Sequence, residues 1–301
     1  MPEFLPVRLS DIDWIRPIVL KENTKNADFS FTSIYAWGDV FHAKAGKFDG
    51  CLVIRLVIDE KIGYSFPIGC DDQDVIKSII NKLKAYAAQN GEQFRLVSLT
   101  NDKLPFLELH FPGMFDISPN TDLFDYVYSA EKLAGLAGKK LHAKRNYINR
   151  FIALNDWSFE PIDESNLDEC ITVDRIWATG KTEDLDTVAG EKVALEKSFA
   201  DFKSMYLDGG LLRISGKICA YTVGERLSTD TYVVHFEKAL PDVEGAYQMI
   251  NREFVRYIIG KYPDIIYINR EDDMGLPNLR KAKRSYYPEF MVEKYTAVLK
   301  Q

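Results

Sequence analysis

Asp264–Pro288 reads DIIYINREDDMGLPNLRKAKRSYYP and carries three signals in direct succession. Ile265, Ile266, Tyr267 and Ile268 form a short apolar run rich in β-branched residues, the pattern of a buried strand. Glu271, Asp272 and Asp273 follow at once, then Gly275 and Pro277. Pro277 suits the first turn of a helix, where its missing N–H leaves no bond unmade. That helix carries Arg280, Lys281, Lys283 and Arg284. A buried strand, an acidic loop and a basic helix form the arrangement by which an open α/β sheet presents a site beyond the carboxyl ends of its strands. The same charges also suit the helix macrodipole with no ligand present. Asn269, Arg270 and Glu271 end a strand that should run through the core, which favours a functional reading for them.

Working outward, the chain alternates strand and helix patterns on both sides of a central basic segment. Residues 4–9 read as a strand, and a helix starts near Ser10, its N-cap, with Asp13 three residues on. The aromatic stretch 29–41 reads as a helix. Strand patterns follow at about 40–46, 51–58 and 62–68, the last two joined by a hairpin-like Asp59-Glu60-Lys61. Residues 73–89 place Val75, Ile76, Ile79, Ile80, Leu83 and Tyr86 on one helical face, and Asn90-Gly91 ends that helix. A strand at 94–100, a short helix at 101–110 and a strand at 121–128 complete the first half. A linking helix over 139–154 opens the second, followed by a strand at 157–162 and helices at 164–178 and 188–206. Strands at 210–215, 217–226 and 231–238 come next, then a helix over 244–259 ending at Gly260. The strand at 264–269, a helix at 276–285 and a last strand at 289–298 finish the chain. The order of elements is the same in both halves, a weak repeat of architecture.

The 301 residues are 46% hydrophobic, enough for a large core divided between two domains or held in one. No run approaches the roughly 18 apolar residues of a membrane span, and the N-terminus has early acids and two prolines in place of an apolar signal core. A cytoplasmic protein is therefore expected, with a place at the periphery of a membrane left open. Cys51, Cys70, Cys170 and Cys219 are scattered, as are His42, His110, His142 and His235, so neither a disulfide framework nor a metal site is expected. The net charge of −7 argues against a globally basic surface, so a polyanion would have to meet local patches. Two such patches exist: Lys139, Lys140, Lys144, Arg145 and Arg150, and the 280–284 cluster.

The repeated element order resembles the GNAT acyltransferase fold present twice. Four stretches narrow the resemblance: FSFTSIYAW (29–37), GKKLHAKRNYINRF (138–151), HFEKALPDVEGAYQMINREF (235–254) and INREDDMGLPNLRKAKRSYYP (268–288). Together they resemble the C-terminal catalytic region of phosphatidylglycerol lysyltransferases and the soluble proteins grouped with it. The most specific part is Asn269-Arg270-Glu271-Asp272 followed by Leu279-Arg280-Lys281-Ala282-Lys283. The resemblance implies an α/β (α+β) chain of two tandem GNAT-like domains, each a mixed, mostly antiparallel sheet flanked by helices. The expected division is 1–128, a linking helix in 129–156, and 157–301 with the active site. The implied activity is transfer of an aminoacyl group from aminoacyl-tRNA to a lipid-headgroup, small-molecule or peptide acceptor. The chain departs from the family in lacking the large membrane region of the lipid-modifying enzymes. It also carries Asn278 where relatives often have Gly.

Alternation along 231–238 puts His235 and Glu237 on one strand face. Either is a candidate general base, and a core His–Glu hydrogen bond is the competing reading. The following loop, Ala239–Ala246, lacks the leading Arg or Gln and most of the glycines of an acyl-CoA pyrophosphate loop. Asp242 and Glu244 would repel a pyrophosphate, so a conventional CoA cofactor is disfavoured, although Gly245 and Ala246 permit a close backbone approach. In the helical stripe Tyr247, Asn251, Phe254, Ile258, the amide of Asn251 needs partners. Asn269, Glu271 or a bound aminoacyl amine would serve. Arg145 interrupts the stripe Leu141, Ile148, Ile152, and either snorkels to the surface or binds a carboxylate or phosphate. Lys139, Lys140 and Lys144 beside it are the candidates for tRNA or anionic-lipid phosphate. The resemblance gives Glu271 or Asp272 to the aminoacyl ammonium group, and Arg280 and Lys283 to phosphate or the oxyanion. Tyr247, Asn251, Asn269 and Arg270 complete the expected substrate contacts. A CoA-dependent N-acyltransferase with an atypical loop, and a ligand-binding protein that keeps the fold, are the alternatives.

Overall fold

In the first half of the structure, a computed structural model, the elements are β1 (Leu5–Pro6), α1 (Ile12–Glu22), α2 (Phe31–Tyr35), β2 (Lys44–Phe48), β3 (Cys51–Ile58), β4 (Lys61–Ser65), α3 (Gln73–Gln89), β5 (Arg95–Thr100), α4 (Leu104–His110), β6 (Phe115–Pro119) and β7 (Asp125–Ser129). Two linking helices, α5 (Ala130–Gly135) and α6 (His142–Leu154), lead to β8 (Trp157–Pro161), α7 (Leu167–Thr179), α8 (Leu185–Ala200), β9 (Asp208–Ile214), β10 (Lys217–Arg226) and β11 (Thr231–Ala239). The chain closes with α9 (Ala246–Lys261), β12 (Tyr267–Asn269), α10 (Pro277–Arg284), β13 (Phe290–Val292) and β14 (Lys294–Leu299). Residues 3–58, 60–179 and 185–300 are described, without side chains for 185–187. Asp59 of the expected hairpin lies outside them.

The strands form two seven-stranded sheets, ordered β1-β2-β3-β4-β5-β14-β6 and β8-β9-β10-β11-β12-β7-β13. Position by position the two orders correspond. In each sheet three antiparallel pairs are followed by one parallel pair, β4–β5 or β11–β12, and then by two antiparallel pairs. The repeat expected from element order is thus present in the topology, as two mixed sheets flanked by helices.

Sheet membership does not follow the expected division at residue 128. The last strand of each half crosses to the other sheet: β7 pairs with β12 and β13, and β14 with β5 and β6. The strand expected over 289–298 is therefore two strands, in different sheets, separated at Glu293. The crossing is pinned at the starts of the exchanged strands. Lys294, first in β14, lies 2.6 Å from the carboxylates of Asp125, first in β7, and of Asp28. Lys294 and Asp125 are both buried, and a buried charge is tolerable only when paired.

Local chemistry sets the element ends. Asp72 accepts the N–H groups of Asp74 and Val75 at the start of α3, and Ser30 accepts that of Ser33 at the start of α2, each satisfying helix donors that lack intrahelical partners. Pro277 is the first residue of α10, as its chemistry predicts. The aromatic stretch 29–41 forms a much shorter helix than expected, and β6 and α5 were not anticipated. Gly260 does not stop α9. The helix runs one residue further, and Lys261 pairs with Asp208.

Three apolar clusters hold the layers together. One packs α3 and α4 against the first sheet, β14 included, one packs α5, α6 and α9 against the second sheet, and a third is shared between the halves. The shared cluster joins Ile15, Phe31 and Leu52 of the first half to Cys170, Leu195, Tyr221 and Phe236 of the second. One face of the second sheet therefore meets α9, and the other meets α7 and α8 together with the first half of the chain.

Candidate active site

The parallel pairing of β11 with β12 covers only Thr231–Val233 against Tyr267–Asn269. Beyond it β11 continues to Ala239, while Arg270 donates its backbone N–H to Tyr126 of β7. The two strands part, and side chains from both enter the opening. In the first sheet the corresponding continuation of β4 is apolar, with Phe66 and Ile68 buried and Phe66 edge-on to Phe106. The second sheet places charged groups there.

A β-bulge decides how they are placed. The register of β10 against β11 jumps from Val223–Phe236 to Gly224–Val234, leaving His235 as the extra residue. Gly224 is required, because a Cβ there would come 2.1 Å from the carbonyl oxygen of Val233. The bulge shifts the alternation by one residue, so Val233 and Phe236 enter the shared core while Val234 enters the α9 core. His235 and Glu237 consequently do not act together as simple alternation predicts. They belong to separate clusters.

The first cluster surrounds Glu237. Its carboxylate accepts from Arg270 Nη2 at 2.8 Å and from Asn251 Nδ2 at 3.0 Å. Asn251 thus pairs with Glu237, not with Asn269 or Glu271, because α9 lies over β11 and only Glu237 of the three points toward it. The Arg270 guanidinium lies over the rings of Tyr286 and Tyr128, at 5.0 and 5.8 Å, and Lys144 of α6 lies 4.1 Å above Tyr286. Burial, with the neighbouring charge of Arg270, lowers the Lys144 ammonium to about 8. Two atoms of this cluster, Arg270 Nη1 and Asn251 Oδ1, are buried without a hydrogen-bond partner. Tyr247 stands at the start of α9 beside Glu237, its phenol pushed up to about 12 chiefly by burial.

The second cluster surrounds His235. Nδ1 lies 2.7 Å from Glu271 and Nε2 lies 3.1 Å from Glu225 of β10. Burial opposes charge on the imidazole, but Glu271 and the hydrogen bond to Glu225 outweigh it and raise its pKa to about 9. Glu225, although buried, is held below the usual carboxylate range by His235 and by the Thr32 backbone N–H, at 2.8 Å.

Several of the remaining acids and bases of the 264–288 stretch support the loop. Asp273 receives Nε and Nη2 of Arg280 at 2.8 and 2.7 Å and the Tyr126 hydroxyl at 2.5 Å. Arg280 also reaches Asp122, at 2.6 Å. Lys283 is buried and donates to the carbonyl oxygens of Arg270 and Asp272, which closes the loop on α10. Asn269 bonds Asp125, the Lys25 carbonyl and the Glu271 N–H. Asp272 is raised to about 6 by burial against the pull of Lys294. Arg145 neither snorkels freely nor meets an acid. It donates to the carbonyls of Leu136 and Gly138, closing the turn before α6. Lys139 and Lys140 are exposed, with Lys140 5.2 Å over Tyr287.

Sequence reasoning missed Glu225, Thr32, Tyr128 and Tyr286. Glu225 directly follows the mostly apolar run 218–224, which is its sequence signal; the two tyrosines read as ordinary core. The close approach permitted at Gly245 is made by α6, since a Cβ there would lie 2.7 Å from the Tyr147 carbonyl oxygen. Arg150 of α6 also pairs with Glu244, just before the α9 N-terminus, at 2.6 Å. Among the described residues no group of three or more His, Cys, Asp or Glu could hold a metal ion, and no helix is long and apolar enough to cross a membrane.

Comparison with known proteins agrees with this architecture. A Bacteroides thetaiotaomicron protein of unknown function is 34% identical, with full coverage of both chains and a TM-score of 0.92. The L-PGS structure from Bacillus licheniformis is 14% identical over 99% of this chain and 93% of its own, with a TM-score of 0.68. FemX is 8% identical over 99% and 97%, with a TM-score of 0.65. These last two share the tandem GNAT-like fold. Residues 21–298 match the family described as phosphatidylglycerol lysyltransferase, C-terminal, and the chain belongs to that family.

Proposed function

We propose that the protein transfers an aminoacyl group from aminoacyl-tRNA to a lipid-headgroup, small-molecule or peptide acceptor, in the opening around Glu237. The carrying observation is that Arg270 Nη1 and Asn251 Oδ1, a donor and an acceptor flanking one carboxylate, are buried and unpaired. Leaving such groups unpaired costs about 1–3 kcal/mol each, so a ligand with complementary groups is favoured. An aminoacyl ester supplies them. Its carbonyl oxygen suits Arg270, and its α-ammonium suits Asn251 and Glu237. As the acceptor's oxygen or nitrogen attacks, the carbonyl oxygen gains charge and the free Arg270 N–H stabilises it.

Of the two bases considered from sequence, His235 has both nitrogens engaged and Glu237 is paired with Arg270. Lys144 has a proton affinity near working pH and reaches the same opening, so it takes the acceptor's proton. The C–O bond to the tRNA ribose then breaks, the new ester or amide forms, and the ribose hydroxyl receives the proton. The ester is already activated, so holding the acceptor against it provides much of the acceleration. Lys139, Lys140 and the exposed Lys281 and Arg284 of α10 offer cations for phosphates outside the opening, which would position the tRNA without reading its sequence.

The test supplies radiolabelled mixed aminoacyl-tRNA and an extract containing lipids and metabolites to the purified protein. The expected result is label leaving tRNA for an extractable product, with Glu237→Gln reducing the rate roughly a hundredfold or more. No label loss with every amino acid represented, or full activity in a folded Glu237→Gln protein, would remove the proposal.

A further inference from the structure

We propose that His235 is a positioning residue: a buried imidazolium that ties the first half of the chain, through Thr32 and Glu225, to Glu271 at the head of the site loop. The inference is independent of which group the protein transfers.

The geometry of the ring carries it. A neutral imidazole has one donor nitrogen and one acceptor nitrogen, whereas an ionised carboxylate only accepts. Both ring nitrogens face carboxylates here, at 2.7 and 3.1 Å. A neutral ring would set a lone pair against one of these oxygens, and the doubly protonated ring removes that conflict. The His235 side chain is fully buried and Glu225 nearly so, leaving little room for water to relieve a mismatch. The direction of the imidazole's titration agrees.

The charged groups facing the ring are Glu225 from β10 and Glu271 from the loop after β12, and Lys283 of α10 stands next to Glu271. The other end of the chain of contacts is the first turn of α2, where Thr32 supplies a backbone N–H that no helical carbonyl can accept. Glu271 has φ +56°, in the left-handed region, which is uncommon for a residue other than glycine. It is held there by His235 and by Asn269, which accepts its N–H at 2.6 Å. Arg270, whose Nη1 is buried and unpaired, is the residue immediately before it. Through this chain of contacts α2 reaches the site without lining it.

The test starts with unaltered protein carrying 15N-labelled histidine. With four histidines in the chain, His42→Gln, His110→Gln and His142→Gln assign His235 by elimination. One histidine should show both ring nitrogens protonated at pH 7.5 and lose a proton only near pH 9. A His235 signal with one unprotonated nitrogen at pH 7.5 overturns the proposal. Amide exchange, corrected for its intrinsic pH dependence, then reports position. Protection at residues 271–273 should fall at least tenfold as pH crosses that midpoint, while Leu211 and Leu212 in β9 stay protected. In Glu225→Gln, the same loss should appear at neutral pH and the His235 midpoint should drop by at least one pH unit. Loss that spreads equally to β9, or no loss in the loop, also overturns the positioning role. If Glu225→Gln does not fold, the pH-dependent exchange of the unaltered protein decides the matter alone.

Discussion

Replacing Lys294 by Met tests whether the crossed strands are pinned by charge. The ammonium is 1% exposed and sits 2.6 Å from both Asp125 and Asp28. Met has similar length and removes the charge without opening a large cavity. Asp125 would keep the Ala27 N–H at 2.9 Å and the Asn269 amide at 3.0 Å, but no opposite charge on a fully buried carboxylate. Breaking such a pair from one side costs about 3–5 kcal/mol. At roughly 2 °C per kcal/mol for a chain of this size, the melting temperature should fall by about 6–10 °C. Asp125→Asn in the same background removes the stranded charge while keeping the acceptor for Ala27, and should recover about half of the loss. The assay is urea unfolding at pH 7, followed by two probes to confirm that they coincide. A Lys294→Met cost below about 1 kcal/mol, or single and double variants that add within about 0.5 kcal/mol, would refute the claim that this pair holds β7 and β14 in place.

Stability should depend on His235 above neutral pH. Its folded pKa is raised, so its contribution is fully present below the unfolded value of 6.5 and is lost as pH rises to about 9. The span corresponds to a decline on the order of 3 kcal/mol; urea melts across that range should show it, and a His235→Gln slope as steep as the unaltered protein's would contradict it. Lys144 acts as a base only when neutral, so kcat/KM for transfer should climb with pH through about 8. Lys144→Met should remove that limb of the profile, and a surviving limb would assign the proton to another group. Gly224→Ala puts a Cβ against the Val233 carbonyl and should cost roughly 1–3 kcal/mol as an overpacked site. Its transfer rate should fall further than stability accounts for, since the bulge aims His235; equal losses in both would argue against that.

Fold class and the repeat were readable from the sequence because they rest on local periodicity. The α3 pattern from Val75 to Tyr86, the strand at 51–58 and the Pro277 start of α10 each announce themselves within a few residues. The family resemblance rested on equally local stretches, and the chemistry expected of Glu237, Asn251 and Arg270 concerns residues that do meet in space. Periodicity reports which face is buried, however, and not against what.

Three features depend on contacts that periodicity does not encode, and the first of them joins segments far apart in the chain. The exchange of β7 and β14 became visible only in the pairing, where Asp125 meets a lysine near the other end of the chain. The parting of His235 from Glu237 follows from one extra residue opposite Gly224, and a strand read singly carries no sign of the register of its neighbour. Arg280, Lys283 and Arg145 looked like ligand-binding cations, because a positive charge in sequence does not reveal the carbonyl or carboxylate to which it donates. The sequence alone determined which elements form and which residue types gather at the ends of the second half's strands. The tertiary structure decided which of those charges meet a partner within the fold and which atoms, among them Arg270 Nη1 and Asn251 Oδ1, are left without one, since that depends on partners brought together only by folding.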